Sequence, residues 1–208
     1  MSRESGAAAG GGGRMGGAAD VAAIWTKEEL VRELLLSPFG VIDEQGNTPL
    51  HRLLSSDKLD PEALAAAQQI IMLKDYNKTK NGVNQTPLEI AIKKNHQFLI
   101  EMLIAEGALE GIDQETLNTY LRIASGKGNI AVIKVLIEAG ADVNAGDMYG
   151  HTPLREAVTK ENVAVIKALI EAGADVNAGD MYGHTPLREA VAKENVAVIK
   201  ALIEGGAD

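Results

Sequence analysis

The chain contains no cysteine, so disulfides, thiolate nucleophiles and cysteine-ligated metals are excluded, and nothing in it demands an oxidising compartment. Aromatic residues make up only 3% of the 208. A core must therefore be built mainly from Leu, Ile, Val and Ala, and the length suits one domain. No apolar run approaches the roughly 18 residues that span a bilayer. Nothing after Arg3 resembles the hydrophobic stretch of a signal peptide. Positive charge is scarce too, with 20 Lys and Arg against 29 Asp and Glu and a net charge of −9. That balance argues against nucleic acid and anionic membrane as partners, since both select a basic face. The acidity reads as solubility.

What the chain does have is repetition. Asn144 to Val176 reads NAGDMYGHTPLREAVTKENVAVIKALIEAGADV, and Asn177 to Asp208 repeats it with two changes, Ala192 for Thr159 and Gly205 for Ala172. Thr-Pro-Leu also occurs at Thr48 and Thr86, and a degenerate copy, Thr119-Tyr120-Leu121, lies between. The threonines stand 38, 33, 33 and 33 residues apart. A unit of this size cannot bury its apolar face alone and must stack on its neighbours. Within the block, Thr152 is placed to cap a helix with Pro153 in its first turn. Leu154, Ala157 and Val158 put a stripe on that helix; Val163, Val165, Ile166, Leu169 and Ile170 put a wider one on a second. Small Ala157, Ala164 and Ala168 allow close approach. Gly173 terminates the second helix, and Asp147 and Gly150 bracket a tight turn.

The pattern Asp-x-x-Gly-x-Thr-Pro-Leu, two short helices, then Gly-Ala-Asp-Val-Asn-Ala resembles the ankyrin repeat. The resemblance implies an all-α solenoid of stacked helix-turn-helix units with short β-hairpin loops. About five repeats cover 43–208, irregular in 43–118 and regular in 119–208. Departures are visible. His51 keeps the histidine of the family's Thr-Pro-Leu-His, but Glu89, Arg122, Arg155 and Arg188 replace it. Glu161 and Glu194 stand where the turn between helices prefers Gly, while Gly128 and Asn95 fit. The third repeat lacks the Asp and Gly of its hairpin, and the first has a longer second half, Ser55 to Lys80. Ahead of the repeats, 1–20 is Gly- and Ala-rich and reads as a disordered tail. Residues 21–42 read as a capping helix, with a capping box at Thr26 and Glu29 and Trp25 stapled against it. The last repeat carries no polar cap: Val191, Val198 and Leu202 match Val158, Val165 and Leu169. This reads as a fragment of a longer protein, or as an end covered by another surface.

No catalytic constellation, cofactor motif or metal site is legible, and no enzyme activity is expected. His151 and His184 occupy equivalent positions in adjacent repeats, roughly 8–10 Å apart, too far for both to ligate one zinc. The resemblance implies a protein–protein interaction module, a scaffold or adaptor, using the concave helical face and the hairpin fingertips. Met148-Tyr149 and Met181-Tyr182 fall between the Asp and Gly of each turn and read as partner anchors repeated once per unit. The alternative is that each Tyr packs on the neighbouring hairpin. His151 and His184, with Arg155, Glu156, Arg188 and Glu189 on the first helices, extend this candidate surface; the alternative for the charged four is pairing across repeats. LIEAGADVN, ending at Asn144 and again at Asn177, is similar to ankyrin segments hydroxylated on Asn and marks both as candidate modification sites. The near-identical repeats resemble ankyrin proteins of intracellular bacteria and of some eukaryotic repeat families; the former resemblance implies a host-interacting effector. The chain is expected to be cytoplasmic or secreted into a host cell, and monomeric unless its last repeat self-associates. The competing reading is the targeting module of a longer protein whose catalytic or receptor part lies beyond residue 208.

Overall fold

The computed structural model describes residues 42–72 and 77–208. Among them are ten helices and no strand, in five pairs: α1 (Pro49–Leu54) with α2 (Pro61–Met72), α3 (Pro87–Lys94) with α4 (Gln97–Ala105), α5 (Gln114–Lys127) with α6 (Ile130–Glu138), α7 (Pro153–Thr159) with α8 (Val163–Glu171), and α9 (Pro186–Ala192) with α10 (Val196–Glu204). Each pair packs on itself. Successive first helices then pack in a row, α1 on α3, α3 on α5, α5 on α7 and α7 on α9. The structure is thus a solenoid of helix-turn-helix units, as the repeat requires. The readings of Trp25 and of the capping helix lie outside the described residues.

Local chemistry starts and stops these helices. Thr48, Thr86, Thr152 and Thr185 hold extended backbone and accept the N–H three residues on, with proline in the first turn each time. Asn129, Asn162 and Asn195 cap the second helices by accepting from Val132, Val165 and Val198. Gly173 follows α8 at φ 92° and donates its N–H to Ile170 O. In the first repeat His51 completes a reciprocal cap. Its Nε2 lies 2.9 Å from Gln85 O and donates to it, which leaves Nδ1 to accept from Thr48 N–H and from its hydroxyl. Burial pushes this imidazole below its ordinary pKa, against the pull of the Gln85 carbonyl, so the neutral ring is the bonded one.

The core is aliphatic. Leu154, Ala157 and Val158 on α7 and Val165, Ile166 and Leu169 on α8 are fully enclosed. Val163 and Ile170 are half-buried, and Ala164 faces solvent, so of the small residues it is Ala157 that lets the helices approach closely. The last repeat corrects the expected face. Val198 and Leu202 are buried, because their side of α10 packs on α8; the exposed apolar residues there are Val191, Val196 and Ile203.

The third repeat departs most. With no Asp or Gly to turn the chain and no proline at 120, the helix starts early. Asp113 caps it by accepting from Thr116 N–H, and α5 runs 14 residues against seven in α7 and α9. The first repeat's longer second half holds α2, 12 residues against nine in the other second helices.

In the last four units the turn between the two helices holds a left-handed residue. Asn95 (φ 57°) and Gly128 (φ 81°) supply it easily; Glu161 (φ 56°) and Glu194 (φ 55°) do so under strain. Asn195 Nδ2 donates to Glu161 Oε2 at 2.6 Å, as Asn129 Nδ2 donates to Asn95 Oδ1 at 3.1 Å. An asparagine at 161 can therefore relieve the backbone and keep the acceptor. Glu161→Asn and Glu194→Asn are each expected to stabilise by about 0.5–1 kcal/mol, roughly 1–4 °C in melting temperature by circular dichroism. A lower melting temperature would mean that the longer glutamate side chain contributes more than the strain costs.

Candidate interaction surface

Four tight turns form the fingertips, at 43–46, 81–84, 147–150 and 180–183. In each, the first residue's carbonyl accepts from the fourth residue's N–H at 2.9 Å, and the fourth residue holds a left-handed backbone: Gly46, Asn84, Gly150 and Gly183. The first side chain organises the rest. Asp147 Oδ1 accepts from Tyr149 and His151 N–H, and Asp180 Oδ1 from Tyr182 and His184 N–H. Burial would raise the Asp180 carboxyl, but the His184 and Tyr182 N–H groups and the Arg155 guanidinium outweigh it and hold the pKa below the usual carboxylate range. Asp147 is held low in the same way, with Arg122 as the cation.

The sequence-derived site residues divide by what they touch. Met148 is 83% exposed, Tyr149 51%, Met181 60% and Tyr182 72%. Each tyrosine ring leans on the histidine of its own hairpin, His151 or His184, with centroids 5.8 Å apart. Met181 N–H donates to Tyr149 O at 3.0 Å, so these two fingertips are locked together by their backbones. Gly150 (φ 80°) makes that approach feasible: a Cβ there would come within 3.0 Å of Asp180 Cα.

The charged four behave differently. Arg155 reaches into the next repeat, with Nη1 3.0 Å from Asp180 Oδ2 and 3.2 Å from His184 O, and Nε 3.7 Å from Glu189 Oε2. Arg122 does the same to Asp147 at 3.2 Å. Glu189 points back to the preceding repeat and accepts from the Thr159 hydroxyl at 2.7 Å; Glu156 lies against Gly126 in the equivalent relation. These contacts tie repeats together. Arg188, whose side faces away from the stack, is exposed and has no ion-pair partner among the described residues. Asn144 bridges to the next loop, donating to Gly173 O and accepting from Asp175 N–H, and Asn177 accepts from Asp208 N–H. Among the described residues no three His, Cys, Asp or Glu side chains gather as metal ligands would.

Sequence reading missed one fingertip residue. Val83 occupies the place of Tyr149, three residues before the capping threonine, and is 71% exposed. The signal was its register with Thr86, obscured because Asn81 and Asn84 replace Asp and Gly.

The family model for ankyrin repeats matches residues 62–147 and 121–208. A comparison with curated proteins finds no match. Among solved structures, the chain is similar to an ankyrin repeat domain from Acinetobacter baumannii AYE, with TM-score 0.69 and 26% identity over 86% of this chain and 93% of that one. It is also similar in fold to the ankyrin repeat domain of Bcl-3, a member of the IkappaB protein family (TM-score 0.68, 22% identity, 88% and 82% covered). The human ASB11 ankyrin repeat domain gives TM-score 0.70 at 21% identity, with 88% and 83% covered.

Proposed function

Since the chain belongs to the ankyrin repeat family, whose domains are typically non-catalytic protein–protein interaction modules, we propose that it binds a protein partner at its fingertips, as a scaffold or adaptor. The observation that carries this is the pair of exposed Met-Tyr fingertips, repeated in register and locked by the Met181–Tyr149 backbone bond. A preorganised backbone loses little freedom on binding, and tyrosine offers a large contact area for only two side-chain torsions. Arg188 extends the surface; Arg155 and Glu189 support it by holding the repeats in line. The interaction domain in this reading is 43–208. No helix among the described residues is long and apolar enough to cross a membrane.

The test is capture from a cell lysate by the full chain and by the variant Met148→Ala, Tyr149→Ala, Met181→Ala, Tyr182→Ala. The four side chains are exposed, so the melting temperature is expected to stay within about 2 °C. A partner held by the wild type is expected to be lost by the variant. Equal capture by both would exclude the fingertips as the reading surface.

A further inference from the structure

Neighbouring fingertips are joined wherever both exist. Gly82 N–H donates to Gln45 O at 2.8 Å between the first and second repeats, and Met181 N–H to Tyr149 O between the fourth and fifth. The third repeat has no fingertip, since its residues run in α5. The ladder therefore stops on both sides of the third repeat. By register, Val83 O and Met148 N–H are the groups a third fingertip would meet, and among the described residues neither has a protein partner. Both belong to exposed apolar residues. Beside the gap, between the second fingertip and α5, lies a recess of about 320 Å³. Thr86 and Tyr120, both buried, lie beneath its floor, joined by a 2.5 Å hydroxyl contact, and Asp113, Glu115, Glu89 and Lys80 line it. Glu89 is neutralised by Lys93 at 2.6 Å. The remaining carboxylates, Asp113 and Glu115, outnumber the Lys80 ammonium.

We propose that the gap at the third repeat receives a tight turn from the partner protein, with a lysine or arginine in the turn entering the recess. This rests on the protein-binding reading above and names the element of the partner that is read. Among the described residues, the missing fingertip leaves an unpaired acceptor on the second fingertip and an unpaired donor on the fourth, and a tight turn of a partner carries the complementary N–H and carbonyl. The incoming turn repeats the chain's own ladder: its second residue donates N–H to Val83 O, and its third residue's carbonyl accepts from Met148 N–H. Completing an interrupted hydrogen-bond edge gives affinity, while the side chains in the neighbouring recess give specificity. Val83, Met148 and Tyr149 flank the turn with apolar surface.

The probe is a disulfide-cyclised peptide presenting the turn Asp-Lys-Tyr-Gly, titrated into the full chain labelled with nitrogen-15. Saturable shifts are expected at the amides of Val83, Asn84, Thr119 and Met148. The same peptide with Glu for Lys is expected to bind about tenfold more weakly, and Glu115→Lys to weaken the lysine peptide several-fold. No saturable shift at these amides, or equal affinity for the two peptides, overturns the proposal. If the peptide fails while lysate capture still depends on the four fingertip side chains, the gap is excluded and the fingertip reading stands.

Discussion

Tyr120→Ala is expected to destabilise the stack by about 3–5 kcal/mol, a large part of the margin of a typical domain. Tyr120 stands where the other four first helices carry Pro49, Pro87, Pro153 and Pro186. Because α5 begins at Gln114, position 120 lies about a turn and a half inside the helix, where proline would remove a backbone hydrogen bond. The ring is completely enclosed, and its hydroxyl meets Thr86 Oγ1 at 2.5 Å. Burial pushes the phenol up to about 12, against the Thr86 bond, so it remains neutral through the physiological range. Truncation leaves a cavity between the second and third repeats and removes one of the bonds that join them. Tyr120→Phe separates the two terms. It keeps the volume, and Thr86 still accepts from Glu89 N–H, so a loss of about 1 kcal/mol is expected. Urea denaturation followed by circular dichroism measures both. A loss below 1 kcal/mol for the alanine variant would show that the third repeat is not anchored through this ring.

The second large effect is a contrast between two identical sequences. Leu154 and Leu187 sit in the same Thr-Pro-Leu-Arg-Glu-Ala-Val context. Leu154 is fully buried because α9 covers α7; Leu187 is half-buried because no described first helix packs on the other side of α9. Val158 is enclosed and Val191 is 55% exposed for the same reason. Leu154→Ala is therefore expected to cost about 3 kcal/mol, and Leu187→Ala about 1 kcal/mol. Melts of the two variants at equal protein concentration give the comparison. Equal losses would mean that a further surface covers the last repeat in solution, which sedimentation across a concentration series would reveal.

The helix boundaries of the regular repeats were legible because each rests on contacts within a few residues. Thr152 with Pro153 and Gly173 after Glu171 need no distant partner to do their work; the Asn162 cap on Val165 N–H is as local but was not read from the sequence. The third repeat was legible only as a defect. Missing Asp, Gly and Pro showed that the hairpin failed. That α5 would start as early as Gln114 depended on Gln114 reaching Gly140 O and Asn118 accepting from Asp142 N–H, contacts 26 and 24 residues away.

The candidate site divides along the same line. The spacing of Met148, Tyr149, Met181 and Tyr182 placed them at turns, because a tight turn projects its middle residues wherever it occurs. It could not tell Arg155 from Arg188, which share every local neighbour: one is closed in by Asp180 and Glu189 of the following repeat, and the other has no described repeat beyond it. By itself the sequence determined the repeat, its caps and its turns, since these are short-range and recur with the period. Tertiary structure alone decided which copies of one side chain are buried, which carboxylates are paired, and where the fingertip ladder breaks. Those properties belong to the stacking of one unit on the next, and two nearly identical units differ chiefly in what lies beside them.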